Sequence, residues 1–297
     1  MFRPMRHCIF LWMMVLSSSS IHVSIGLAQD KPQESWRLPT GVGYEHIVRK
    51  EPRPLHIHVL QIDTQAADLS FEVAAGDDPD GDGPAEVALA HPRDLAKKVN
   101  AIAAINTSAW AMLTDPQTGK KPGYIVGGAA DISGWVSQAD RLISPPQGGY
   151  WSVWMDASKR IKIGTIASKE ELQEKGVQAK WAVSGFRGIL KDSQVLVEPS
   201  QVRHPRTAVG LSKDGNQFVW MVVDGRQQGY SEGVSEEELA KLLIERGCSE
   251  GINLDGGGSS SMWIRNDKDE LSVANSPSEK TGVRPVPVVL SLIRDRK

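Results

Sequence analysis

Between Phe218 and Leu254 the chain reads as strand, helix, strand, and no other stretch constrains the fold as much. Phe218 to Val223 is one strand. Ser235, followed three residues later by Glu238, marks a helix start of the capping-box kind. Leu239, Leu242 and Leu243 then form an apolar stripe, and Gly247 ends the helix. A second short strand covers 251 to 254. Two strands joined through a helix enter a sheet in parallel, so both leave it along the same edge. Asp224 and Asp255 stand immediately beyond those strand ends, which predicts two carboxylates in a crevice of the kind where open α/β sheets bind ligands. Arg226 lies beside the same crevice.

Asp255 opens into Gly256, Gly257 and Gly258, then Ser259, Ser260 and Ser261. Glycine costs backbone entropy wherever it is ordered, so this run suggests a place where backbone amides approach a polar group closely. Amides, hydroxyls and arginines together suit an anion such as phosphate. The loop is not a Walker-type cradle, because no Gly-Lys-Ser/Thr follows the glycines, and the Gly-x-Ser-x-Gly elbow of serine hydrolases is absent. His204, just before Pro205, is expected to be structural.

Elsewhere the pattern is of short strands with few helices. Leu55 to Ile62, Ala101 to Ile105, Trp151 to Met155, Ile161 to Ile166 and Val195 to Val197 read as strands, and Asp94 to Val99 and Glu170 to Glu174 as helices. Thr207 to Leu211 joins Phe218 to Val223 through a hairpin turn at 213 to 216. Residues 122 to 146 are punctuated by Gly and Pro and have no readable path. The expected class is α+β: a mixed β-sheet core with a C-terminal strand-helix-strand crossover unit and flanking helices.

The amino terminus carries Arg3 and Arg6, an apolar run from Cys8 to Leu16, and Gly26-Leu-Ala28. That order predicts a signal peptide over 1 to 28, cleaved after Ala28, and a secreted or periplasmic product with no transmembrane anchor. Residues 29 to 54 read as an N-terminal arm. Cleavage leaves 32 basic and 36 acidic side chains, which offers no basic field for nucleic acid. Cys248 would then be the sole cysteine, expected to be packed and inert.

Arg206-Thr-Ala-Val-Gly210, Val223-Asp-Gly-Arg226, the amphipathic helix, Asn253-Leu-Asp-Gly-Gly-Gly-Ser-Ser260, Asn275-Ser-Pro277 and Arg284-Pro285 resemble the phosphodiester glycosidase family. The resemblance is close over roughly 203 to 293 and looser upstream, where Thr107-Ser-Ala-Trp110 follows Asn106 in place of the family's glycines and phenylalanine. It implies a phosphodiester glycosidase-like domain over 55 to 297 that hydrolyses a sugar 1-phosphodiester in a glycan or envelope polymer. Asp255 or Asp224 would be base or nucleophile. Arg206, Arg226 and the loop from Gly256 and Gly257 to Ser259 and Ser260 would hold phosphate. Asn106 and Asn253 would position polar groups, Arg284 is a further phosphate partner, and Trp110 faces the sugar. The other class of function is a non-catalytic carbohydrate-binding or exopolysaccharide-assembly module on the same fold.

This chemistry requires no cofactor. One loop nevertheless invites Ca2+: Asp78, Asp80 and Asp82 alternate with Gly83 following, as in the first half of a calcium loop, but Leu89 stands where the bidentate glutamate belongs. His56 and His58 share one strand face, which is expected to be half-exposed.

Overall fold

The computed structural model describes residues 35–295 apart from 115, 116 and 140, so the expected signal peptide and Cys8 lie outside the described residues. Four sheets carry the described residues. The largest runs in the order Val42–Arg49, Leu55–Asp63, Gln217–Val223, Arg206–Ser212, Cys248–Asn253, Arg187–Lys191, Gln194–Val195. A five-stranded sheet places Ala103–Asn106 at its centre, with Met262–Arg265 and Leu271–Val273 on one side and Val288–Arg294 and Leu69–Ala75 on the other. A second five-stranded sheet holds Ile161–Gly164, Trp151–Asp156, Ala179–Gly185, Val136–Gln138 and Arg141–Ser144. The smallest joins Val87–Ala88, Ala129–Ile132 and Trp110–Met112. The chain is thus mostly strand with few helices, within the α+β class.

Gln217–Val223 shows why its sequence is apolar throughout. Phe218, Trp220 and Val222 enter a core shared with Phe71, Trp181 and Leu290, while Val219, Met221 and Val223 pack with Leu239, Ala240 and Leu243 of helix Glu236–Glu245. A strand covered on both faces has no reason to alternate. The helix starts as its sequence predicts: the Glu238 N–H donates to the Ser235 hydroxyl at 3.2 Å, and the Ser235 N–H donates to the Glu238 carboxylate at 2.8 Å. Gly247, at φ +81°, turns the chain back into the sheet.

The crossover is split. Gln217–Val223 and Cys248–Asn253 each pair antiparallel with Arg206–Ser212, which lies between them. They run in the same direction, but a ladder spacing of about 4.8 Å puts their axes roughly 10 Å apart. The hairpin through 213–216 has already filled the place beside Gln217–Val223. Residues 42–49, read as part of an arm, pair along their whole length with Leu55–Asp63. The stretch 122–146 contributes three strands: Ala129–Ile132 pairs with Val87–Ala88 and Trp110–Met112, and Val136–Gln138 pairs both with its neighbour Arg141–Ser144 and with Ala179–Gly185. Cys248 is buried and its thiol is pushed up to about 12 by desolvation, so it is packed and inert.

Replacing Ser235 by Ala removes the acceptor for the Glu238 N–H. The expected cost is about 1 kcal/mol, read as a lower urea midpoint at unchanged slope.

Candidate active site

Asp255 follows the Cys248–Asn253 strand by two residues, and its backbone is fixed on both sides. Its N–H donates to the Thr107 carbonyl at 2.7 Å, and its carbonyl accepts from Asn106 Nδ2 at 2.7 Å. Asn106 belongs to a different sheet, so one amide joins two sheets at this point. Its Oδ1 accepts from the Thr207 hydroxyl at 2.8 Å and from the Ser261 N–H at 3.0 Å, closing the far end of the loop. Asn275 makes a second clamp. Its Oδ1 accepts from the Met262 N–H at 2.9 Å, and its Nδ2 donates to the Ser260 carbonyl at 3.1 Å and to Asp224 Oδ1 at 2.8 Å.

Most of the loop's amides turn inward rather than outward to an anion. The N–H groups of Gly257, Ser259 and Ser260 donate to the carbonyls of Pro205, Gly256 and Gly257 at 2.8, 3.3 and 3.2 Å. The Gly256 N–H bonds the Asp255 carboxyl, and the glycines also allow close approach. A Cβ on Gly256 would stand 2.8 Å from the Pro205 carbonyl oxygen, and one on Gly258 2.5 Å from an Arg284 guanidinium nitrogen. Gly257 adopts φ +62°, with Arg226 Nη1 3.1 Å from where its Cβ would lie.

Three guanidinium-bearing side chains thus border the loop in order: Arg206 at Gly256, Arg226 at Gly257 and Arg284 at Gly258. Each is held from behind. Arg206 donates to the Val234 carbonyl and to Glu236 Oε1, both at 3.4 Å, and Asn253 Nδ2 donates to the same Glu236 oxygen at 3.0 Å. Arg284 grips Glu279 through Nε and Nη2 at 3.0 and 2.7 Å. Arg226 Nη2 lies 3.3 Å from His204 Nδ1. Desolvation, then the charges of Arg226 and Arg206, lower the pKa of His204, so its neutral ring can accept from Arg226.

Asp255 is partly accessible at the surface yet surrounded by protein. Desolvation raises its carboxyl to about 6, against the opposing effects of the Ser259 hydroxyl, the Arg284 charge, the Gly256 N–H and the Trp110 indole. A carboxyl poised near neutrality among cations has the environment that acid, base or nucleophilic work demands.

Asp224 differs in every respect. Its side chain is fully buried and accepts from Asn275, from the Ser276 N–H at 3.1 and 3.0 Å, and from the Tyr230 hydroxyl at 3.4 Å. His58 Nε2 lies 3.2 Å from it, and His58 Nδ1 lies 2.8 Å from the Tyr44 hydroxyl. An ionised Asp224 selects the Nε2–H tautomer of His58, leaving Nδ1 to accept from Tyr44. Tyr44 is itself raised by burial and then by the Asp224 charge. His46 stacks on His58 with ring centres 4.4 Å apart, and His56 on Tyr230 at 3.8 Å. His56 and His58 are therefore buried in a polar cluster, not half-exposed.

The structure gathers Asn106, Trp110, Arg206, Arg226, Gly256, Gly257, Ser259, Ser260 and Arg284 around Asp255, with Asn253 joined through Glu236. Asp224 lies behind the loop and reaches it through Asn275, a residue visible in the sequence only as part of a closing motif. In the acidic loop the carboxylates of Asp78 and Asp80 bond backbone amides. Asp78 accepts from the N–H groups of Asp80 and Gly81, Asp80 from that of Ala85, and among the described residues no group of three or more His, Cys, Asp or Glu could hold a metal. A cleft of about 710 Å³ bounded by Lys159, Lys213 and Glu250 contains none of the residues of the site.

A β-rich α+β scaffold carrying this loop at a sheet end has the phosphodiester glycosidase type of fold. The chain belongs to the phosphodiester glycosidase family, whose model matches residues 99–293, and that family is one of hydrolases. YomE, an uncharacterized SPbeta prophage-derived protein of Bacillus subtilis (strain 168), is 27% identical over 177 residues, which are 57% of this chain and 25% of that protein. The chain thus spans about a quarter of that relative's length. In fold it is similar to the zebrafish N-acetylglucosamine-1-phosphodiester alpha-N-acetylglucosaminidase catalytic domain, auto-inhibited by its pro-peptide. The TM-score there is 0.58 at 19% identity, over 90% of this chain and 85% of that one. A hypothetical protein from Synechocystis gives a TM-score of 0.59 at 12% identity, over 90% of this chain and 65% of that one. Among the described residues no helix is long and apolar enough to cross a membrane.

Because the folded-state pKa of Asp255 is raised, its contribution to stability is greatest below the ordinary carboxyl value and is lost as pH rises to about 6. The stability of Asp255→Asn relative to wild type is expected to grow by on the order of 1 to 3 kcal/mol between pH 4 and pH 8, measured by urea denaturation at both. A pH-independent difference refutes this. Asp224→Asn sets an amide N–H2 against the donors of Asn275 and Ser276. It is expected to cost about 3 kcal/mol or more, and a variant as stable as wild type removes Asp224 from its buried structural role.

Proposed function

We propose that this protein hydrolyses a sugar 1-phosphodiester, with Asp255 working at the anomeric carbon. The observation that carries this reading is a desolvated carboxyl at the head of a glycine loop bordered by three arginine side chains. An ordinary glycosidase needs one carboxylic acid to protonate a poor leaving alkoxide and a second carboxylate as base or nucleophile. A phosphodiester leaves as a stable anion, so cationic donors replace the acid. Arg226 and Arg284, with Arg206 beside them, hold the departing phosphate. Asp255 acts in its ionised form, either activating water or attacking directly. Water supplies the hydroxyl that ends on the sugar, and the phosphate leaves as a monoester.

The other residues take supporting roles. Ser259 and the Trp110 indole orient the Asp255 carboxyl, Asn106 fixes its backbone, and Asn253 steadies Glu236 behind Arg206. Ser260 completes the loop that Asn275 clamps. Asp224 is a positioning residue that holds Asn275, and through it the loop. Such a reaction needs no metal or other cofactor. The signal-like order of residues 1 to 28 supports an enzyme acting outside the cytoplasm, on a glycan or envelope polymer.

The zebrafish relative's name supplies the first substrate to try, a 1-phosphodiester of N-acetylglucosamine, within a panel of other sugars. Asp255→Asn is expected to lower sugar release by on the order of a thousandfold or more while remaining folded. In the wild type kcat/KM should rise with pH through about 6, as Asp255 loses its proton. An active, folded Asp255→Asn variant would sink the assignment. Binding without turnover across the panel would instead favour a carbohydrate-binding module.

A further inference from the structure

The side chains around Asp255 lead to an unusual piece of surface. Trp110, whose indole bonds Asp255, meets Tyr124 edge to face with ring centres 5.3 Å apart. Arg284, whose guanidinium covers Gly258, lies 4.1 Å over the Tyr124 ring. Tyr124 therefore closes a ring of contacts with Trp110, Asp255 and Arg284. It also begins the only consecutive run of exposed large apolar side chains among the described residues: Tyr124, Ile125 and Val126 are 53%, 57% and 64% exposed. Other exposed apolar residues are scattered singly, which is ordinary.

This lip is anchored rather than loose. The Gly127 N–H donates to the Leu89 carbonyl and the Leu89 N–H to the Gly128 carbonyl, both at 2.8 Å, and the Gly128 N–H reaches the Ile125 carbonyl at 3.1 Å. Holding Ile125 and Val126 in water is unfavourable, by about 25 cal/mol for each Å² of apolar area that a ligand could cover. Their chemistry also restricts the ligand. A sugar ring needs donors and acceptors around it, and the Ile125 and Val126 side chains supply none. Such groups lie toward the other end of the loop, where His204, Asn253, Glu236 and Arg187 surround Arg206 and Arg226. Lys120 and Lys121, both exposed just before the lip, favour an anionic ligand.

We infer that Tyr124, Ile125 and Val126 form a subsite for the alcohol esterified to the substrate's phosphate, and that this alcohol is an apolar, lipid-like chain. The inference rests on the phosphate-holding role proposed for Arg226 and Arg284. With phosphate beside Arg284, the ester oxygen opposite the sugar points along the Tyr124 ring, and a chain on it covers Ile125 and Val126. The product that remains on this side after hydrolysis is an alkyl phosphate.

That product provides a test independent of turnover. Methyl phosphate and octyl phosphate, the latter below its micelle concentration, are titrated calorimetrically into wild type and into an Ile125→Ser/Val126→Ser double variant. Octyl phosphate is expected to bind wild type at least tenfold more tightly than methyl phosphate, with this ratio falling below threefold in the variant. Equal binding of the two esters to wild type overturns the apolar subsite alone. Binding of neither overturns the phosphate site as well, and the inference with it. Co-sedimentation with phosphatidylcholine and phosphatidylglycerol vesicles, with no alkyl phosphate added, supplies a further arm. If wild type shows no octyl preference but binds vesicles in a manner lost in the variant, the lip is a membrane-docking surface and the subsite is refuted.

Discussion

Everything at the site depends on the side chain of Asn106. It ends a strand of one sheet, donates to the carbonyl of Asp255 beyond the end of another, and accepts from Ser261 at the far side of the loop. A carboxamide is suited to this because it donates and accepts at once, through two atoms on one rigid plane. A carboxylate could only accept, and an apolar residue would leave two backbone groups and the Thr207 hydroxyl without partners in a dry environment. Asn275 repeats the device one step along the chain, so two amides staple a glycine-rich segment that has little tendency of its own to hold one shape.

Once the loop is fixed, charge balance around it explains the remaining residues. The arginine side chains beside the glycine backbone have their own carboxylate partners, Glu236 for Arg206 and Glu279 for Arg284. An Asp255 carboxylate paired directly with an arginine would have its pKa lowered and its lone pairs occupied. Here desolvation outweighs the nearest positive charge. The carboxyl therefore stays available to a substrate, while the cations stay available to an anion.

Local features were legible in the sequence, and long-range ones were not. The helix after Ser235 was readable because a capping box and an apolar stripe lie within ten residues. The importance of the Asp255 loop was readable because few other contexts tolerate three successive glycines, although the close approach of Pro205, Arg226 and Arg284 to them was not. Asp224 shows the limit. A carboxylate following a strand end reads as ligand-facing, but Asn275 and Ser276 return some fifty residues later to cover it. Likewise, a strand-helix-strand pattern does not reveal that the preceding hairpin strand lies between its two strands. The buried Tyr44, His46, His56 and His58 cluster depends on the register of two neighbouring strands, and periodicity places residues on a face without saying what covers it.

The Asn106 bridge also sets how the molecule must fail. With the reacting carboxyl stapled between the ends of two separate sheets, partial opening of either sheet releases one end of the staple. No intermediate that has lost one sheet can keep a working site. Heat inactivation and the loss of tertiary structure should therefore coincide, making the site a sensor of the integrity of the whole β-framework.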